Sequence, residues 1–292
     1  MRYTITHETR FDYAQPMRYA RCNLRLQPAD WAGQRLESFR VDTDPPTRVR
    51  KDKVGAYVGT PQRIVIERAT RRLIITARSV VEVSRPAELA RPDDATVAAV
   101  AAAARASTDL SMAGPANYLY ASPMIALTPE IAAWCGESLA AARGIVGAAY
   151  ELNDRIRAHF RYDGTATETT TTPAEAFAAR AGVCQDFAQV MIAGLRAAGL
   201  PAAYVSGYLR TYPAPGKERL VGADATHAWV LLWCGPARGW IGFDPTNGIG
   251  MGDDHIVTAI GRDYADIAPI DGIFVGNAGQ KISVSVDVAP EG

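Results

Sequence analysis

A thiol, an imidazole and a carboxylate occur in the chain order Cys184, His227, Asp244. Together these side chains can carry out acyl transfer: a thiolate attacks a carbonyl, an imidazole protonates the leaving amine, and a carboxylate holds the imidazole. Cys184 lies in GVCQDFAQVMIAGLRAAGLPA (Gly182 to Ala202), between a helix-stopping glycine and an apolar-periodic run. A helix starting at the cysteine would aim its free N–H groups and the positive end of its dipole at the sulfur, stabilising a thiolate. His227 opens the apolar segment THAWVLLW and Asp244 ends GWIGFDPT, with GPARG between them. Such a hairpin lets the two side chains meet and face the helix start. Taken singly, each has an ordinary structural explanation. A histidine beside Trp229 fits a partly buried, hydrogen-bonded residue, and an aspartate before Pro245 fits a turn cap. Their combination sets them apart.

A developing oxyanion needs donors. The backbone N–H of Cys184 is one, and Gln185 and Tyr162 are candidates for a second, with a surface cap and a core position as their structural alternatives. Asp186 and Asp224 are read as structural, because an acid buried beside the sulfur opposes thiolate formation. His7 and His159 have neighbours typical of surface or helix-end positions. His255, in GDDHIV, is flanked by acids and has no assigned role. Cys22, Cys135 and Cys234 are far apart, with no CxxC pair, and fit buried apolar side chains. No metal and no organic cofactor is expected.

The elements that must position these groups fall into two parts of a 292-residue chain, long enough for two domains. Its 48% hydrophobic and 21% charged residues are ordinary for a globular protein. Lys+Arg and Asp+Glu are both 31, so no global field points to nucleic acid or to a membrane. The basic residues concentrated before Arg91 read as a solvated sheet face. There is no stretch of about 20 apolar residues, and MRYTITHETRFDY lacks a signal-peptide core; a cytoplasmic location is expected. Residues 1–90 read as short strands separated by turns, an antiparallel β-sandwich. In residues 91–292 helices precede strands, an α+β domain. Asp94 is the expected cap of an alanine-rich helix. Thr128-Pro129-Glu130 opens another helix, expected to stop near Gly144, and a third runs from about Val146 to His159. Thr172 and Glu175 fit a capping box. Strands follow at AAYVSGYLRTY, THAWVLLWC and GWIGFDPT, and KISVSVDV alternates as a half-buried strand.

The blocks GVCQDFAQ, GLPAAYVSGYL, DATHAWV and GFDPTN, in this order, resemble the bacterial transglutaminase-like family of the papain-like cysteine superfamily. The opening RYTITHETRFDYAQP and closing HIVTAIGRDYADIAPIDGIFVG extend the resemblance over nearly the whole chain. It implies an α+β papain/transglutaminase-like core, with helices packed on an antiparallel sheet, preceded by an N-terminal β-sandwich. It implies Cys184 as nucleophile, His227 as general base and acid, and Asp244 as the group orienting His227. Ala188-Gln189 departs from the family's Ala-His, and Asp52 to Ala56 departs from its N-terminal turn. The block Gly261 to Pro269 is expected to lock the C-terminal segment onto the core rather than line a cleft through Arg262 or Asp263. The expected function is a cysteine-dependent hydrolase or acyl transferase acting on amide or peptide bonds through a thioester. Without obvious calcium loops, hydrolysis of a peptide or protein substrate is favoured over true protein transglutaminase activity. Acyl transfer of the arylamine N-acetyltransferase kind and a non-catalytic binding module are the remaining readings.

Overall fold

Every second residue of the first strand is buried from Tyr3 to Tyr13, the period-2 signature of a strand with one face on a core. This is β1 (Arg2–Met17), which buries Tyr3, Ile5, His7, Thr9, Phe11 and Tyr13. The computed structural model describes residues 1–52, 55–212, 225–276 and 279–291, so Lys53 and Asp224 lie outside the described residues. Five more strands follow: β2 (Tyr19–Leu24), β3 (Gln34–Asp44), β4 (Arg50–Lys51), β5 (Gln62–Ile66) and β6 (Thr70–Val83).

Helices then dominate. In α1 (Val97–Arg105) the cap is Thr96, whose hydroxyl accepts the Ala99 N–H at 3.2 Å. Asp94, the expected cap, instead accepts the Arg91 N–H and pairs with Arg238. α2 (Pro129–Gly136) stops well before Gly144. Arg155 donates to the Trp134 carbonyl at 3.1 Å and to the Ser138 hydroxyl at 2.9 Å, occupying a carbonyl that a longer helix would have used. α3 (Ile145–His159) leads into β7 (Arg161–Tyr162), and α4 (Pro173–Ala179) into β8 (Ala181–Gly182). The α4 capping box is formed in both directions between Thr172 and Glu175. α5 (Cys184–Ala197) is buried from Gln185 to Arg196, as befits a helix covered on all sides.

α5 packs on a five-stranded antiparallel sheet ordered β12-β11-β10-β9-β13. Its strands are β9 (Ala202–Leu209), β10 (Ala225–Trp233), β11 (Trp240–Asp244), β12 (Ile249–Gly250) and β13 (His255–Gly261). A short α6 (Tyr264–Ile267) follows. The Arg262 carbonyl accepts from Arg196 of α5 at 2.6 Å, and Asp263 accepts the Met124 N–H at 2.8 Å. These are the contacts of a lock. The architecture is mixed α and β, with helices on an antiparallel sheet, and the expected transglutaminase-like core fits it.

The last two strands return to the start of the chain. β14 (Ile270–Val275) pairs with β2 and β15 (Gln280–Glu291) with β1, giving sheets ordered β14-β2-β5-β4 and β15-β1-β6-β3. Phe11, Leu73, Cys22 and Ile64 bring both sheets into one apolar cluster. The other half of the β1 face, with Val286 and Val288, meets Tyr208 and Ile256 of the central sheet. One strand therefore contacts both units. β15 buries Val286 and Val288 but leaves Ile282 and Val284 each 51% exposed, so only half of its alternation faces a core. His7 is 1% exposed rather than at the surface, because it sits where β1 crosses onto Tyr208. Some basic residues of the first part form cross-strand pairs, such as Arg72 with Asp12 and Arg78 with Asp42. No helix among the described residues is long and apolar enough to cross a membrane.

Candidate active site

Cys184 is the first residue of α5, preceded by Val183 with extended backbone. Valine has no capping oxygen, so Asp186 reaches back and accepts the Val183 N–H at 2.8 Å. The same oxygen accepts the Thr167 hydroxyl at 2.7 Å. Burial raises the Asp186 carboxyl above its ordinary value, against these hydrogen bonds. The cap needs Gly182: a Cβ there would stand 2.5 Å from Asp186 Oδ2.

β7 and β8 form a parallel pair that sets Tyr162 opposite Gly182, close to Cys184. Tyr162 is 59% exposed. Its phenol is raised by partial burial and then by the neighbouring sulfur. Gln185 is buried, and its side-chain N–H donates to the Thr169 carbonyl at 3.0 Å, anchoring the threonine-rich loop. Tyr162 thus stands beside the sulfur, while Gln185 holds a loop over the helix start.

β10 and β11 pair in antiparallel register, Val230 opposite Phe243 and Trp233 opposite Trp240. This brings His227 Nε2 to 2.8 Å from Asp244 Oδ2. Cys184, at the start of α5, is near enough to the imidazole to act on its charge. Burial alone would push this imidazole down, but Asp244 and Cys184 hold it up, to about 10. Asp244 is fully buried. Burial pushes its carboxyl up, yet the hydrogen bonds of His227 and His255 and the charge of His227 bring it far below the ordinary carboxylate range. The backbone N–H groups of Thr246 and Asn247 cap its other oxygen at 3.0 and 3.3 Å. Asp244 therefore both caps its own turn and bonds His227.

His255 is the residue that the sequence left without a role. Its Nε2 lies 3.2 Å from Asp244 Oδ2, and Asn247 Nδ2 donates to the same oxygen at 2.7 Å. Trp229 stacks with His227 at 6.0 Å and meets His255 edge-on at 5.2 Å. Gly207 makes room for the Trp229 ring, since a Cβ there would lie 2.6 Å from it. The local signal was only an acid-flanked histidine before an apolar alternation. Its placement depends on β13 pairing with β9, which a linear reading does not show.

Of the four cysteines, Cys22, Cys135 and Cys234 are buried and Cys184 is not. Burial pushes the thiols of Cys22 to about 11 and Cys135 to about 12, and raises that of Cys234 as well. They fit apolar filler. His227, Asp244 and His255 also offer atoms within 4.8 Å of one another, a spacing suited to a metal ion. Asn247, however, aims an amide N–H at the shared oxygen, a group that cannot ligate a cation, so the cluster is built to surround a carboxylate with donors. Gln189, at the position that departs from the family pattern, is fully buried, and neither amide atom has a partner among the described residues.

Residues 3–82 match the bacterial transglutaminase-like N-terminal region, and residues 132–245 match the transglutaminase-like superfamily. The chain is 36% identical over 293 residues to an uncharacterised protein of Mycobacterium tuberculosis, covering 99% of this chain and 93% of that one. It is 30% identical over 292 residues to one of Mycobacterium leprae, covering 98% of each. A stretch of 71 residues is 44% identical to a protein-glutamine gamma-glutamyltransferase of Pseudomonas aeruginosa, covering 24% of this chain and 10% of that enzyme. The solved structure of a proposed cysteine protease from Cytophaga hutchinsonii shares the fold, with a TM-score of 0.75 at 18% identity, covering 100% of this chain and 92% of that one. With full-length relatives at this identity and both of its parts matched, the chain belongs to the bacterial transglutaminase-like family.

Proposed function

We propose that Cys184, His227 and Asp244 are the catalytic triad of a cysteine-dependent hydrolase acting on amide or peptide bonds. The observation that carries this reading is His227, held between the buried Asp244 carboxylate at 2.8 Å and the sulfur at the start of α5. In this mechanism the Cys184 thiolate attacks the carbonyl carbon, and the oxyanion forms beside the helix start, where the Cys184 N–H points. His227 then gives its Nδ1 proton to the leaving amine, which departs as the C–N bond breaks and leaves an acyl-thioester. A water, deprotonated by the now neutral imidazole, attacks the thioester; the acid is released and the thiolate–imidazolium pair is restored. Asp244 fixes the ring and stabilises its charged form throughout. Tyr162, 59% exposed beside the sulfur, supports an opening through which water reaches the thioester.

The similarity to a protein-glutamine gamma-glutamyltransferase over part of the chain favours a second reading, release to an amine. The two sheets that share an apolar cluster support reading the N-terminal region, completed by β14 and β15, as a β-sandwich beside the catalytic part. A glutamine-containing peptide, followed by mass spectrometry with and without a primary amine, tests the choice. Hydrolysis outrunning amine incorporation supports the proposal. Amine incorporation outrunning hydrolysis overturns it in favour of a transglutaminase.

A further inference from the structure

Among the described residues, five donors reach the Asp244 carboxylate, and they come from three places in the fold. Three of them, the two backbone N–H groups and the Asn247 side chain, belong to the turn that follows Asp244 and move with it. His227 is the group to be oriented. Among the described residues, His255 is the one remaining donor, and it arrives from β13, on the far edge of the sheet.

The ring of His255 is fixed before it reaches the carboxylate. The Gly252 N–H donates to its Nδ1 at 3.2 Å, so the ring proton sits on Nε2 and faces Asp244. His255 is 1% exposed and wedged edge-on against Trp229, which also stacks with His227. β13 pairs with β9, β9 with β10, and β10 with β11, so the bond from His255 to Asp244 closes a ring of contacts around the site. The Asp244 backbone is held by β11 and β12, and His255 adds a side-chain tie to its carboxylate from β13.

We infer that His255 is a positioning residue, whose Nε2–H clamps Asp244 Oδ2 so that the carboxylate stays aligned with the catalytic histidine. The inference rests on the triad proposed above. His255 touches no reacting atom; it acts through Asp244. Glutamine at this position keeps a side-chain N–H near the place of Nε2, whereas leucine keeps bulk and removes the donor.

The test compares His255→Leu and His255→Gln in two assays: turnover of the glutamine peptide, and the rate of Cys184 alkylation by iodoacetamide at pH 6.5. His255→Leu is expected to lower kcat and the alkylation rate by about 10- to 100-fold with KM nearly unchanged, the size found when supporting hydrogen bonds behind metal ligands are removed. His255→Gln is expected to recover most of that loss. Wild-type rates in His255→Leu would overturn the inference. So would an equal loss in both variants, which would mean packing alone, or a change confined to KM. If His255→Leu does not fold, His255→Asn takes its place, being too short to reach Asp244. Cys184→Ala keeps the two readings apart: if it retains turnover, the triad itself fails, whatever His255 does.

Discussion

His7 makes the protein acid-sensitive at the seam between β1 and the central sheet. Tyr208 donates its hydroxyl proton to the Leu26 carbonyl, so its oxygen accepts from His7 Nδ1–H at 3.1 Å. Nε2 then accepts the Thr9 hydroxyl at 2.8 Å. This arrangement satisfies a neutral ring, and burial lowers the imidazole from 6.5 to about 4. A group lowered in this way leaves stability untouched well above pH 6.5. As the pH falls from 6.5 to 4, the unfolded chain takes up a proton that the folded one refuses, and stability drops; below 4 the loss levels off. The linkage relation gives a loss of about 2 kcal/mol at pH 5 and about 3 kcal/mol once both states are protonated. His227, raised in the fold, adds stability as the pH falls through 6.5, but wild type and a His7 variant share this effect and it cancels from their difference. Urea unfolding of wild type and His7→Asn at pH 7.5 and pH 5 isolates the effect. Wild type should lose about 2 kcal/mol more than the variant over this interval. Equal losses would refute the argument that His7 is buried neutral.

Asp244→Asn removes the charge that holds His227 up against burial and turns an amide N–H toward buried donors, so kcat should fall about 1,000-fold or more and the melting temperature should drop as well; a kcat loss under tenfold would contradict the role given to the carboxylate. Gly182→Ala places a Cβ against the capping Asp186 and should cost about 1–3 kcal/mol in urea unfolding together with slower Cys184 alkylation. Gln189→Met replaces a buried amide without partners by a side chain of similar volume. It should stabilise the fold by about 1 kcal/mol, measured the same way.

The sequence was most legible where chemistry is local. The start of α5 at Cys184, the capping box between Thr172 and Glu175 and the hairpin carrying His227 and Asp244 each depend on neighbours a few residues apart. What it hid depends on distant partners. Asp94 had the right type and place for a cap, but Arg238, far along the chain, claims its carboxylate. The early end of α2 reflects Arg155 of another helix. β15 showed its alternation, yet nothing local says that it pairs with β1 and leaves Ile282 without cover. His7 looked like a surface residue because its burial is supplied by Tyr208. His255 was unreadable for the same reason: its meaning lies in Asp244, reached through three strand pairings.

The central claim is that Cys184 and His227 form a reactive pair. Its most direct test is the rate of iodoacetamide alkylation at each of the four cysteines at pH 6, read by peptide mass spectrometry in wild type and His227→Ala. At that pH an ordinary thiol is under about 1% thiolate. The account predicts that Cys184 reacts first, far faster than Cys22, Cys135 and Cys234, and slows by about tenfold or more without His227. Alkylation of Cys184 at the same rate in both proteins, or of another cysteine first, would contradict it.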